Sequence, residues 1–341
     1  MPHSKGMRLR VNGIVQGVGF RPFIWRLATD LKLTGRVYND AGGVIIELNC
    51  NEAQAGEFAE MMSQQLPPLA RIDAMHHEPL DLPLFSSFEI DVSQSGTVTT
   101  GCAPDAATCP DCLTELWQPG DRRYQYPFIN CTNCGPRLSI IRQIPYDRAS
   151  TTMAEFTLCA ACQQEYDNPA DRRFHAQPNA CPDCGPYCWL ETPDGELVAS
   201  ESPFHTLGEA LRDGLIVAIK GIGGVHLACD ATNEQAVKRL RERKQRPHKA
   251  LALMAANIEA IRQFARVNEQ DEALLAHPAA PVVLMSTQEK TDQLRAIAPS
   301  VAPDNTKIGV MLPYSPVHHL LLAEVDFPLV MTSGNRSGEP Q

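Results

Sequence analysis

The spacing of apolar residues sets out two patterned regions with a weakly periodic stretch between them. Residues 8–15 alternate like a strand, with Leu9 and Val11 on one face. The turn Gln16-Gly17-Val18-Gly19-Phe20 follows, and Phe20, Ile24, Leu27 and Leu31 then recur at helical spacing, with Pro22 suited to a first turn and Gly35 to a helix stop. Residues 36–40 and 44–48 read as strands joined through Ala41-Gly42-Gly43. A second helix is expected to open at Asn51, with Gln54 completing a capping box, and to run along Phe58, Met61, Met62 and Leu66. Strand-like stretches at 71–78 and 85–91 complete a βαββαβ order, the ferredoxin-like split sandwich. From about residue 204 periodicity returns. A β-rich run at 215–220 enters the loop Gly221-Ile222-Gly223-Gly224, and Thr232 with Gln235 suggests a capping box for a helix through Val237 and Leu240. Apolar runs at 250–254, 281–285, 308–312 and 328–332 alternate with helical stretches, an α/β pattern. The predicted fold is multidomain: an α+β unit at 1–91, a cysteine-rich module at 92–200 and an α/β domain at 201–341.

Composition narrows the class. A formal charge of −10 disfavours a broad nucleic-acid-binding surface, and no run approaches the roughly 18 apolar residues of a membrane span. No apolar leader opens the chain, so a cytoplasmic location is expected, with no membrane and no nucleic acid as partner. The last residues, Thr332 to Gly338, read as a working loop after a strand, which suggests an incomplete final domain and the front portion of a longer protein.

Eight of the 12 cysteines form four CxxC pairs: Cys109/Cys112, Cys131/Cys134, Cys159/Cys162 and Cys181/Cys184. Eleven identities recur in register at a period of 50 residues, including both pairs, Glu115/Glu165, Pro119/Pro169, the Asp-Arg-Arg triplet and Gly135/Gly185, which marks a duplicated module. CxxC, eighteen residues, CxxC suits a tetrahedral zinc site of the four-cysteine type, and four closed ligands make it structural. Redox chemistry would need a thioredoxin-like βαβ context that these pairs lack. Two Zn2+ ions are expected, either one per repeat or with the pairs interleaved. Cys50 and Cys229 read as small packed hydrophobes, Cys102 is unassigned, and Cys188 is a secondary candidate ligand.

Gln16-Gly17-Val18-Gly19-Phe20-Arg21 joins a strand to a helix, where inward-turned amides, a helix N-terminus and an arginine can together hold a phosphoryl group. Asn39 on the next strand could hold a water. With this loop and Asn39 in a βαββαβ unit, residues 1–91 resemble acylphosphatases. The resemblance implies phosphate binding by the loop and Arg21 and orientation of the attacking water by Asn39, with Arg21 and Asn39 as the catalytic pair.

Between residues 236 and 250 seven cations, Lys238, Arg239, Arg241, Arg243, Lys244, Arg246 and Lys249, face one acid, Glu242. The helical ones suit a solvated face, whereas Lys244, Arg246 and Lys249, with Lys220 and the glycine loop, suit a polyphosphate pocket. No Walker loop is present. Residues 204–341 resemble the YrdC-like nucleotide-binding domain through Lys220 to His226, Lys244-Gln245-Arg246-Pro247 and Ser333-Gly334-Asn335. The resemblance implies an ATP site, with Mg2+ accompanying the substrate, built from Lys220, His226, Lys244, Arg246, Lys249, Ser333, Asn335 and Arg336. The Pro-Thr-Asp-Thr stretch of threonine-handling members is missing, which favours another carbamoyl substrate.

The whole order resembles the N-terminal part of the carbamoyltransferase family of NiFe-hydrogenase maturation, zinc fingers included. That resemblance implies hydrolysis of carbamoyl phosphate, adenylation of the carbamate with ATP and, in the complete protein, transfer to the C-terminal cysteine of a HypE-type acceptor for cyanide ligand synthesis. A tRNA-modifying adenylate synthase and a zinc-ribbon nucleic-acid binder are the alternatives, the second discriminated by a steep salt dependence of nucleic-acid affinity.

Overall fold

The computed structural model describes residues 3–40, 42–91, 103–144, 146–287 and 296–335. Arg336 and Cys102, singled out above, lie outside the described residues. Two compact units are present, one of Met1–Cys112 with Ile129–Pro186, the other of Leu113–Phe128 with Tyr187–Gln341. No helix among the described residues is long and apolar enough to cross a membrane.

The first unit opens with β1 (His3–Ile14), α1 (Phe20–Asp30), β2 (Gly35–Asp40), β3 (Gly43–Leu48), α2 (Glu52–Gln64), β4 (Arg71–Pro83) and β5 (Phe88–Ile90). They make a five-stranded sheet in the order β4-β1-β3-β2-β5, in which β5 alone runs parallel to its neighbour. Leu9, Val11, Val37, Val44 and Ile46 meet Ile24, Leu27, Phe58 and Met62 of the helices in one buried cluster. The Asn51–Gln54 capping box forms as the sequence predicts. Gly35 does not stop α1: the reversal occurs at Lys32, in the left-handed region at φ 54°, and the Leu33 amide donates to Ala28 O at 2.8 Å. Gly35 instead begins β2.

Glu47 of β3 has a fully buried side chain that accepts from Arg8 at 2.8 Å and from Arg36 at 2.7 Å. Burial pushes its carboxyl up, but the two guanidinium groups outweigh this and hold it below the ordinary range. A lowered folded pKa gives stability that is complete above about pH 4.3 and is lost as pH falls. Glu47→Ala should therefore cost about 2 kcal/mol at neutral pH by removing the buried carboxylate that the two arginines share, although Arg8 keeps Glu78 and Arg36 keeps Asp91. Hydrogen exchange in β1 and β3 checks this: variant and parent should differ at neutral pH and converge in acid.

The cysteine repeats contribute α3 (Pro110–Trp117) and α4 (Ala160–Asp167), each starting one residue after the first cysteine of its repeat. The duplication is also conformational. Gln125 and His175, 50 residues apart, are both left-handed at φ 52° and 53°, and their amides donate to Leu116 O at 2.9 Å and Tyr166 O at 3.0 Å. The second arginine of each Arg-Arg pair, Arg123 and Arg173, is buried. Neither can be the surface phosphate contact that nucleic-acid binding would need.

The second unit contains β6 (Leu190–Glu191), β7 (Leu197–Val198), α5 (Pro203–Arg212), β8 (Val217–Gly221), β9 (Gly224–Asp230), α6 (Glu234–Lys244), β10 (Ala252–Met254), α7 (Ile258–Arg262), α8 (Glu269–Leu275), β11 (Val283–Ser286), β12 (Lys307–Met311), α9 (Pro316–Ala323) and β13 (Leu329–Ser333). Its six-stranded sheet runs β11-β12-β10-β13-β9-β8, and only β10 and β12 pair in parallel. Consecutive residues of β13 serve opposite faces: Val330 packs with Val237, Leu240 and Ile261, and Met331 with Leu211 and Leu321. Two sequence expectations change here. The helix cap is Asn233, which accepts from the Gln235 and Ala236 amides, because Thr232 is bonded to Asp230. The glycine loop is a hairpin turn: Gly221 pairs with Gly224, leaving only Ile222 and Gly223 between the strands.

Candidate functional site

In the first unit, α1 is entered through two left-handed glycines, Gly17 at φ 73° and Gly19 at φ 71°. Each must also lack a side chain, since a Cβ on Gly17 would lie 3.1 Å from the Tyr146 ring and one on Gly19 3.0 Å from Thr132. The first-turn amides of α1 have no intrahelical acceptor and the turn carries no acid, so its potential is positive. Arg21 follows with its side chain 10% exposed and 3.6 Å from Asp147 Oδ1. Burial lowers its pKa and the Asp147 carboxylate opposes that. Gln16 points away from the loop, donating to Asp40 O and Gly43 O, both at 2.8 Å, and so pins the β2–β3 turn.

Asn39 is buried, and its Oδ1 has no hydrogen-bond partner among the described residues. An orphaned amide oxygen beside a buried guanidinium suits a polar guest such as a water. One cavity is lined by the loop, Arg21 and Asn39 on one side and by Thr132, Arg137, Tyr146, His175 and Gln177 on the other. Sequence reasoning missed that second wall. The available signal was a difference between repeats: Arg137 and His175 occupy positions where the other copies hold Tyr187 and Gln125.

Arg137 is buried and donates to five carbonyls: Gly17, Cys134 at 2.9 Å, Pro136 at 2.8 Å, Cys131 at 3.1 Å and Thr132 at 2.9 Å. It ties the cysteine knuckle of the first repeat to the glycine turn. The repeats also lock together, with Thr132 Oγ1 donating to Arg172 O at 3.1 Å and Arg172 to the Cys112 sulfur at 3.0 Å.

Cys109, Cys112, Cys131 and Cys134 gather in one cluster and Cys159, Cys162, Cys181 and Cys184 in another, so the sulfurs group by repeat and are not interleaved. Neighbouring sulfurs lie 3.5 to 3.9 Å apart. A tetrahedron of Zn–S bonds of about 2.3 Å needs about 3.8 Å, so both donor sets fit one zinc each. Cys188 belongs to neither cluster and packs in the second unit, while Cys50 and Cys229 are buried as small hydrophobes.

The nucleotide-site candidates of the second unit fare differently from one another. Lys244 is buried and donates to Ser333 O and to Asn335 O at 3.0 Å; burial, then Arg246, lowers its pKa. Ser333 is hydrogen-bonded to Asn335. Arg246 donates to Ala250 O at 3.1 Å, and its buried Nε has no partner among the described residues. Lys220 and Lys249 are exposed. His226 sits opposite Ser333 across β9 and β13, with Tyr314 OH 3.4 Å from its Nδ1. Arg241, read as part of the cationic cluster, is a scaffold residue, since it donates to the carbonyls of Arg246, Pro247 and Lys249 and to Val301 O.

Family models match in the same order: an acylphosphatase model over residues 7–90, a HypF finger at 108–141 and 158–191, and a telomere-recombination model of the Sua5/YciO/YrdC type over 209–341. Carbamoyltransferase HypF of Rhodobacter capsulatus is 51% identical over 340 residues, covering 98% of this chain and 44% of that protein. An acylphosphatase of Caldivirga maquilingensis is 44% identical over 82 residues, 23% of this chain and 85% of its own length. A crystal structure of full-length HypF in a phosphate- and nucleotide-bound form superposes with a TM-score of 0.91 at 43% identity, covering all of this chain and 44% of that one. The chain thus spans less than half the length of the curated HypF relatives it matches. Three domain types in one order, two zinc-compatible clusters and a shared fold make this chain a member of the HypF family.

Proposed function

We propose that the protein hydrolyses carbamoyl phosphate in the Arg21 pocket and adenylates the resulting carbamate with MgATP in the second unit. The complete protein would then pass the carbamoyl group to the C-terminal cysteine of a HypE-type acceptor, on the way to a cyanide ligand. The observation that carries this reading is the cavity shared by the glycine turn, Arg21 and the orphaned Asn39 oxygen. The turn and Arg21 hold the phosphoryl oxygens, and Asn39 accepts from a water aimed at phosphorus. Attack forms a new P–O bond and breaks the bond to the bridging oxygen, so carbamate leaves with the electron pair and the water proton passes to solvent. An acyl phosphate is already activated, so positioning and charge stabilisation supply most of the catalysis. In the second step a carbamate oxygen attacks the α-phosphorus of ATP and pyrophosphate departs.

In the second unit Arg246 is the favoured phosphate ligand: beside its bonds to Ala250 O at 3.1 Å and Thr332 Oγ1 at 3.5 Å its guanidinium retains an unpartnered Nε, whereas Lys244 donates to two carbonyls. Arg246→Glu should eliminate carbamoyl-phosphate-dependent exchange of pyrophosphate into ATP and leave phosphate release intact. Exchange that survives the charge reversal removes Arg246 from the site. Loss of both activities in a folded, zinc-loaded variant would mean one shared site. The zinc ions, when bound, supply folding energy through the eight cysteines and take no part in the chemistry.

A further inference from the structure

We propose that His175 sets the acyl specificity of the Arg21 pocket: its imidazole edge receives the amino group of a carbamoyl phosphate, so the site prefers that substrate to the isosteric acetyl phosphate. This deepens the reading above and rests on it. With the phosphoryl end on the glycine turn and Arg21, the acyl end faces the wall supplied by the cysteine module. Most polar groups of that wall are engaged. Arg137 holds five carbonyls, Thr132 Oγ1 donates to Arg172 O, and Tyr146 OH donates to Pro136 O at 3.4 Å. The Gln177 amide accepts from Arg148 N at 2.6 Å and Tyr166 OH at 2.9 Å while donating to His175 O at 2.8 Å.

His175 differs from these. Its ring lies on Tyr166, with centroids 5.1 Å apart and planes 21° apart, and meets the edge of Phe174 at 4.4 Å. Its backbone is fixed in the left-handed region and tied to Tyr166 O. The ring is therefore rigid, yet neither nitrogen has a hydrogen-bond partner among the described residues. Burial, then the charge of Arg21, pushes the imidazole down to about 4, so at neutral pH it carries no charge and offers one acceptor and one donor. A neutral ring brings no charge to the phosphoryl group, and its acceptor nitrogen can accept from a carbamoyl N–H. Acetyl phosphate has a methyl group there and forfeits that hydrogen bond, which lowers its fit relative to carbamoyl phosphate.

The test compares kcat/KM for carbamoyl phosphate and acetyl phosphate in the parent chain, His175→Ala and His175→Asn. Asparagine tolerates the left-handed backbone, so this variant guards against a folding failure, and zinc content is measured for each protein. The parent should prefer carbamoyl phosphate, and both variants should lose that preference by at least about tenfold, the loss falling on carbamoyl phosphate. Equal losses on both substrates, or an unchanged preference, would overturn the assignment, as would a parent with no preference. If parent and Arg21→Ala release phosphate from both substrates at the same rate, the phosphoryl reading itself fails and the role of His175 falls with it.

Discussion

Replacing Arg21 by alanine should lower phosphate release from carbamoyl phosphate, the proposed substrate, at least about 100-fold, the usual cost of deleting a preorganised group that stabilises transition-state charge. The side chain is nine-tenths buried, so in the proposed reaction its guanidinium would act on the phosphoryl oxygens with little solvent screening. Its removal also deprives Asp147, 3.6 Å away, of that counter-charge, which weakens the attraction of the site for a phosphate dianion. Arg21→Lys should recover part of the rate, because a point charge replaces the field but not the two-pronged geometry. Asn39→Ala should reduce kcat more than it raises KM, since its proposed partner is the water and not the substrate. A phosphate-release assay decides: an Arg21→Ala rate within about threefold of the parent would end the assignment of this turn.

Zinc removal is the second large effect. Structural zinc sites contribute on the order of 10 kcal/mol each in small domains, and a weakly apolar module has little else to hold it. Chelation, or Cys131→Ser, should open residues 129–186 to proteolysis while peptides from β1 to β4 stay protected by their own core. Acyl phosphate hydrolysis should fall with it, although no cysteine lines the pocket. Arg137 makes the connection, because its carbonyl partners at Cys131, Thr132 and Cys134 belong to the knuckle and its partner at Gly17 belongs to the glycine turn. Metal analysis run beside the activity assay checks this. A protein stripped below about 0.2 zinc per chain that keeps most of its hydrolytic rate would show that the turn holds its shape alone.

Periodicity and short motifs made the elements of both patterned regions legible, since alternation and the 3.6-residue repeat are local properties of the chain. Helix ends were less so. Lys32 and Asn233, not Gly35 and Thr232, terminate and cap their helices, because backbone conformation and a competing bond from Asp230 decided between neighbouring candidates. The burial of Arg241 and Lys244 was illegible for a related reason: a guanidinium or ammonium that satisfies carbonyls looks, in sequence, like one on a solvated face or beside a ligand. The first wall of the pocket was written in a contiguous motif. The second comes from positions more than 90 residues away, and nothing local to Thr132, Arg137, Tyr146 or His175 announces that they meet Arg21.

The matched left-handed turns at Gln125 and His175 carry an evolutionary consequence. Four thiolates fix the course of each lobe, so the apex residue is relieved of structural duty beyond tolerating its backbone conformation. A duplicated lobe of this kind is a spare scaffold: one copy can trade glutamine for histidine at its apex and keep its own course, and the exchanged side chain arrives already aimed. New specificity in such a protein should accumulate at the apex, and a library confined to that position would explore substrate range at little cost in stability, whereas one at Arg137 would loosen the knuckle whose carbonyls it holds.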